Sequence, residues 1–260
     1  MNNPESVDFR FGVQKFEQEW VGKSLEDFQR DGWLSGILYR VKGGKEAQVY
    51  CCKADPSMGV DLIAAKIYRP RRNRAMKNYS QYQQGRHITA DKRHLRALKK
   101  KTRTGKAVED RAWLKHEFRT MQELYNAGAD VPEPFELSGN TILMEFIGNA
   151  QTAAPLIQEV RLDPAKAQPL FDRCIKNIEI LLTCDSIHGD LSAFNILYWN
   201  GAITVIDFPQ AVDPFDNPSA FSLLARDVER ICQYFARYGI QSHPVDIAAD
   251  LWHRYMQREL

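Results

Sequence analysis

The stretch Ile187-His188-Gly189-Asp190-Leu191-Ser192-Ala193-Phe194-Asn195, with the segment from Ile196 to Asp207 behind it, constrains the fold more than any other part of the chain. Two apolar runs, Ile196-Leu197-Tyr198-Trp199 and Ala202-Ile203-Thr204-Val205-Ile206, flank Asn200-Gly201. Asn-Gly between such runs predicts a hairpin with a two-residue turn, because both central positions of that turn need a positive φ. Asn195 and Asp207 then stand at the two open ends of the hairpin, and antiparallel pairing carries them side by side. Two oxygen donors converging in this way suit one Mg²⁺, with water and phosphate oxygens completing its shell.

The loop ahead of the hairpin places Asp190 five residues before Asn195. That spacing, followed by an apolar strand and a second aspartate, is the arrangement of kinase-like phosphotransferases. Asp190 would take the proton of the attacking hydroxyl, and Asn195 and Asp207 would hold the metal that bridges the nucleotide phosphates. Asp163-Pro164, an N-cap followed by proline at the first helical position, predicts a helix with an apolar stripe from Leu170 to Leu182. It would support the loop. A lone HxD is frequent by chance, so the reading depends on matching machinery elsewhere.

Upstream, Ile37 to Val41, Gln48 to Lys53 and Leu62 to Tyr68 read as three antiparallel strands separated by Gly43-Gly44 and Asp55-Pro56-Ser57. The first turn, Lys42-Gly43-Gly44-Lys45-Glu46-Ala47-Gln48-Val49, is either a phosphate-covering loop or a plain hairpin. The third strand carries Ile63-Ala64-Ala65-Lys66, which matches the pattern in which a strand lysine pairs the first phosphates of ATP. Ala64 would leave room for the adenine ring beneath Val49. The alternative is a strand-edge lysine whose head reaches water. Lys66 needs an acidic partner, and Glu117 falls on the apolar stripe of a helix predicted from Asp110 to Ala127 with Trp113, Leu114, Phe118, Met121, Leu124 and Tyr125. Glu123 and Glu109 lie off that face. Phe135 to Leu137 and Thr141 to Met144 form a second hairpin. Met144-Glu145-Phe146-Ile147-Gly148 then stands where a two-lobed kinase joins its lobes, with Met144 lining the pocket and the backbones of Glu145 and Ile147 meeting the adenine edge.

Residues 5–30, with Phe9, Val13, Phe16, Trp20, Leu25 and Phe28, suggest short amphipathic helices that pack on the following lobe or bind a partner. Helices are also predicted from Pro218 to Tyr238, closed by Gly239, and from Val245 to Gln257. The net charge of +2 hides an asymmetry. Between Lys66 and Lys106 stand 15 Lys/Arg and one acid, Asp91, while the rest of the chain carries net −12. With Tyr79, Tyr82 and Lys99-Lys100-Lys101, this segment suits an anionic partner such as RNA or ribonucleoprotein, or it is a solvated helix face. Five cysteines without a CxxC pair, no long apolar run and no leader-like N-terminus predict reduced thiols in a cytoplasmic protein with no membrane contact.

Taken together, Gly44-Lys45-Glu46-Ala47 with Val49-Tyr50, Lys66-Ile67-Tyr68, Glu117, His188-Gly189-Asp190-Leu191-Ser192 with Phe194-Asn195, and Ile206-Asp207-Phe208-Pro209-Gln210 resemble the RIO family of atypical serine/threonine protein kinases. The resemblance covers about residues 35 to 240, and it implies an α+β, two-lobed protein-kinase-like fold. A helical extension (1–34) would precede a sheet lobe (35–144) with a basic insertion at about 69–108, and a truncated, mainly helical lobe (145–260) would follow. It implies ATP with Mg²⁺ or Mn²⁺. Asp190, Asp207 and Lys66 would be catalytic, and Asn195 and Asp207 would hold the metal. Gly44, Lys45, Glu46, Val49, Ala64, Lys66, Glu117, Met144, Glu145 and Ile147 would bind the nucleotide. The first 30 residues are too few for a winged helix, which points to the compact branch of the family, and RIO proteins of archaea and eukaryotes act on pre-ribosomal particles.

Ser192 departs from most serine/threonine kinases, which carry a lysine two residues after the catalytic aspartate to help neutralise the transferring phosphate. The 47 residues after Asp213 also leave no room for a peptide-docking region. The acceptor is therefore a protein hydroxyl, the protein itself (Asp207 included), or water. The competing readings are a small-molecule kinase of the aminoglycoside or choline type and an RNA-binding assembly factor with slow ATP turnover.

Overall fold

A computed structural model describes residues 15–44, 46–69 and 103–260. Within them the chain forms two compact units, residues 15–69 with 133–153, and residues 103–132 with 154–260.

The first unit begins with helix α1 (Lys15–Arg30). Where short helices were expected, the described part is one continuous helix, and Val21, Leu25 and Phe28, at helical spacing, are its buried stripe. Five strands follow: β1 (Leu34–Gly43), β2 (Ala47–Ala54), β3 (Leu62–Tyr68), β4 (Pro134–Ser138) and β5 (Thr141–Glu145), in the order β1-β2-β3-β5-β4 and antiparallel throughout. Ile63 through Tyr68 are buried without a break, as befits a central strand covered on both faces, whereas β1 and β4 are half-buried edges. Three irregularities in the pairing of β1 interrupt its edge.

Strand periodicity sorts the sheet into two faces. Tyr50, Cys52, Ile63, Ala65, Ile67 and Leu143 pack with Val21, Leu25 and Phe28 of α1 in the main core of this unit. Val49, Cys51, Ala64, Lys66, Ile142 and Met144 are cross-strand partners and so share the opposite face.

The second unit contains α2 (Arg103–Asn126), α3 (Pro164–Thr183), the hairpin β6 (Ile196–Trp199) and β7 (Ala202–Val205), α4 (Ala220–Ala236) and α5 (Pro244–Gln257). α2 starts seven residues ahead of the predicted Asp110. Asp163 caps α3 as expected, its Oδ1 accepting from the Ala165 N–H at 3.0 Å, with Pro164 in the first turn. Asn200 and Gly201 adopt φ of 50° and 87° at the tip of the β6–β7 hairpin, the left-handed pair that the tight turn requires.

Phe9, Val13, Lys45 and the basic stretch with Tyr79, Tyr82 and Lys99-Lys100-Lys101 lie outside the described residues. Among the described residues no helix is long and apolar enough to cross a membrane. All five cysteines are free thiols.

Candidate active site

In the first unit, the face opposite α1 is apolar and centred on a small residue. Ala64 is buried beside Cys51 and Phe146, with half-buried Val49, Met144, Leu38 and Tyr39 around them. Ala64 pairs in register with both Cys51 and Met144, so a larger side chain there would fill the centre of this surface. Lys66 shares the face and is only 9% exposed, with its ammonium 5.3 Å from the centre of the Tyr68 ring. The strand-edge alternative for Lys66 does not hold: β3 is central and the side chain is buried.

The turn between β1 and β2 is closed by the Gly44 N–H donating to Ala47 O at 2.9 Å. A Cβ on Gly44 would meet that same oxygen at 3.0 Å, so the close approach favours glycine. Glu46 accepts the Arg69 N–H at 2.8 Å through its carbonyl, tying the turn to the end of β3. At the end of β5, the Glu145 N–H donates to Glu133 O at 2.8 Å, so only its carbonyl can serve an adenine edge. Ile147 is half-buried in the segment that follows.

In the second unit, hydrogen bonds define the loop. Ile187 and Val212 exchange both backbone bonds at 2.9 Å. His188 is buried against the Phe208 ring, its Nδ1 accepting the Asp190 N–H at 3.3 Å and its Nε2 lying 3.1 Å from Ile206 O. That pairing fits the neutral ring with its proton on Nε2, and burial pushes the His188 pKa down, in the same direction.

Asn195 closes the loop from the other side. Its Nδ2 donates to Asp190 O at 2.9 Å, and its backbone carbonyl accepts the Ile206 N–H at 2.9 Å. Ile196 pairs with Val205, so Asn195 and Asp207 flank adjacent ends of the hairpin. Asp207 adopts φ 75°, a left-handed conformation that costs a non-glycine residue about 1 kcal/mol or more. The hairpin is held in turn by the Val205 N–H donating to Asp130 O at 2.7 Å, and Asp130 is gripped by buried Asn177 and by Arg173 of α3.

The buried arc of α2 is centred on Glu117. Trp113, Leu114, Glu117, Thr120, Met121 and Leu124 are all buried, and Glu117 is 1% exposed. Tyr125, expected on the stripe, is 40% exposed. At about 100° per residue it points roughly 80° away from the centre of that arc. Glu123 is turned outward to Arg119, as expected. Just ahead of Glu117, Trp113 Nε1 donates to Pro209 O at 3.2 Å and His116 Nε2 lies 3.1 Å from Ala211 O, which fixes the chain just beyond Asp207 to this helix.

Three residues of α4 join the loop without having been foreseen. Asp227 is 1% exposed and accepts the N–H groups of Gly189 (2.7 Å) and Leu191 (3.0 Å) on its two carboxylate oxygens. Burial pushes its carboxyl up to about 7, against the pull of those two amides and of the arginines beside it. Arg226 donates to the Gly189 carbonyl, and Arg230 lies 2.7 Å from Asp190 Oδ1. Gly189 has φ 77°, where a side chain would be strained. A signal for Asp227 was present in the sequence. It is an acid among Leu223, Leu224, Val228 and Ile231 on one amphipathic helix, the same pattern that singled out Glu117.

The comparisons with known proteins agree on one family. The RIO domain family matches residues 48–248. The chain belongs to the RIO family. The Caenorhabditis elegans serine/threonine-protein kinase RIO1 is 29% identical over 212 residues, covering 80% of this chain and 39% of its own length. The Haloferax volcanii RIO-type serine/threonine-protein kinase Rio1 is 29% identical over 245 residues, covering 89% of this chain and 77% of its own. This RIO chain therefore spans well under half of the first relative and about three quarters of the second. Among solved structures, the Rio2 kinase–ADP/Mg²⁺–phosphoaspartate complex from Chaetomium thermophilum superposes with a TM-score of 0.62 at 23% identity, covering 92% of this chain and 70% of that one. The fold is thus the α+β protein-kinase-like fold of that enzyme, as the sequence predicts.

Proposed function

We propose that this RIO chain is a Mg²⁺- and ATP-dependent phosphotransferase of the serine/threonine-kinase type. One observation carries the reading: the β6–β7 hairpin sets Asn195 and Asp207 at adjacent ends, and the Asn195 amide holds the backbone of Asp190. With Nδ2 spent on Asp190 O, Asn195 presents its Oδ1, a hard oxygen donor, and Asp207 supplies a second. Among the described residues no group of three or more His, Cys, Asp or Glu is arranged to hold a metal. A two-ligand site suits Mg²⁺, which keeps water and phosphate oxygens in its shell. When bound, the ion would neutralise phosphate charge.

The chain's own residues divide the remaining work. Val49, Ala64 and Met144 offer an apolar seat for adenine, and Lys66 a buried cation for phosphate oxygens. Asp190 accepts the proton of the attacking oxygen, with neutral His188 and the Asp227 side chain fixing the loop that carries it. The names of the relatives and the ADP and Mg²⁺ of the Rio2 complex support this assignment.

A second reading, ATP hydrolysis through transfer onto Asp207 itself, is favoured by Ser192 in place of the usual lysine and by the phosphoaspartate of the Rio2 complex. The segment 69–106 makes RNA or a ribonucleoprotein the macromolecular partner of choice, in the cytoplasm.

Saturating MgATP is expected to raise Tm by about 5–10 °C at a hundredfold excess over Kd. Asp207→Ala should remove the metal-dependent part of that rise. A Tm unmoved by MgATP would end the nucleotide reading. γ-Labelled ATP then sorts the acceptor: label on a protein hydroxyl, an acid-stable mark, supports the kinase; base-labile label on Asp207 with phosphate release supports the ATPase; label on a supplied aminoglycoside or choline contradicts both.

A further inference from the structure

Ser192 leaves the loop without the lysine expected two residues after Asp190, yet a cation is present. Arg230 Nη1 lies 2.7 Å from Asp190 Oδ1. It comes from α4, one turn beyond Arg226 and Asp227. Positions 226, 227 and 230 fall on one side of the helix, so three neighbouring side chains hold three consecutive loop residues. Arg226 takes the Gly189 carbonyl, Asp227 the Gly189 and Leu191 amides, and Arg230 the Asp190 carboxylate. The side chains of Arg230 and Asp190 are 35% and 50% exposed. An ion pair that open adds at most about 1 kcal/mol to stability, too little to explain its place in the fold. Its location on the one carboxylate of this loop assigned to proton transfer gives it a different meaning.

We propose that Arg230 is a positioning residue for phosphoryl transfer and stands in for the lysine that Ser192 replaces. It fixes Oδ1 of Asp190, leaves Oδ2 for the acceptor proton, and sets a permanent positive charge beside the transferring group. In that transfer the acceptor oxygen forms a bond to the γ-phosphorus, and the bond from that phosphorus to the β,γ-bridging oxygen breaks with its electron pair staying on ADP. The acceptor's proton passes to Asp190 Oδ2, and Arg230 keeps its own protons throughout. The inference rests on Asp190 being the base.

The test is steady-state turnover of γ-labelled ATP by the full chain carrying Arg230→Met, Arg230→Lys or Asp190→Asn, with the MgATP-induced Tm rise as a measure of folding and nucleotide binding. Arg230→Met should lower kcat about 100-fold with KM for ATP and the Tm rise unchanged. Arg230→Lys, which keeps the charge, should stay within about tenfold of wild type. Unchanged kcat in Arg230→Met overturns the inference, as does a raised kcat, which would make the pair an inhibitory latch. A kcat loss matched by loss of the Tm rise overturns it too, since the role would then be structural. Asp190→Asn separates the levels: if it is inactive while Arg230→Met is normal, only this inference falls, and if it turns over normally, the assignment of Asp190 falls with it.

Discussion

The sheet of the first unit and the loop of the second solve the same problem, holding polar groups at fixed positions, by different physics. In the sheet, β3 is buried from Ile63 to Tyr68, and its order comes from ladder pairing and from apolar contacts with Val21, Leu25 and Phe28. Strand period turns Lys66 to the face opposite α1. In the loop from Ile187 to Asn195, ahead of the hairpin, the backbone is held largely by hydrogen bonds to side chains: Asp227 to Gly189 and Leu191, Asn195 to Asp190, with His188 tying it to Ile206. Apolar packing tolerates small errors in direction. A hydrogen-bonded loop does not, and it suits a region whose carboxylates must face one way.

Substitutions sharpen that contrast. The largest effect on stability is expected in the sheet unit, where Phe28→Ala should cost about 4 kcal/mol in chemical unfolding by emptying the core beneath α1. KM for ATP should not change among molecules that remain folded. A loss under about 1 kcal/mol would mean that α1 is dispensable.

Asp227→Asn should cost less, about 1–3 kcal/mol, because one of the two loop amides loses its acceptor, but it should lower kcat as well. Its cost should also depend on pH. Burial raises the folded carboxyl to about 7 from an ordinary 3.8, so the folded protein holds a proton that the unfolded chain has released. Wild-type stability contributed by this group is then full below about pH 4 and is lost as pH rises towards 7. Taken below about pH 4, that cost should shrink by about 1.4 kcal/mol per pH unit as pH rises, so it closes within about two units and the variant becomes the more stable form before pH 7. His188 titrates in both proteins, so its effect cancels in the difference. A gap that widens with pH would show that the two amides and the arginines outweigh burial. The smallest effect belongs to the half-exposed Arg173–Asp130 pair, where Arg173→Gln should cost about 1 kcal/mol or less and leave turnover intact.

Much of both regions was legible in the chain. Apolar runs between turn-forming residues gave the strands, whereas the two faces of the unbroken buried strand β3 separate only in the structure. Asn200-Gly201 gave the hairpin, and Glu117 stood out as an acid on an apolar stripe. Tyr125 was misplaced because a stripe drawn around Leu114 is wider than the arc that is buried. Arg226 and Arg230 could not be read, since an arginine on a helix that also bears solvent-facing charge carries no local mark of its partner.

The sequence by itself determined the main strands and helices and that Asn195 and Asp207 stand at adjacent ends of one hairpin, because each follows from spacing along a regular backbone. Only the tertiary structure decided that α4 grips the loop and that Asp190 has Arg230 as its neighbour. Those contacts join residues 36 to 40 positions apart whose directions are set by packing rather than by period. The same packing that buries Asp227 raises its carboxyl, so the charge state of the group behind the candidate catalytic loop is a property of the fold and not of the aspartate.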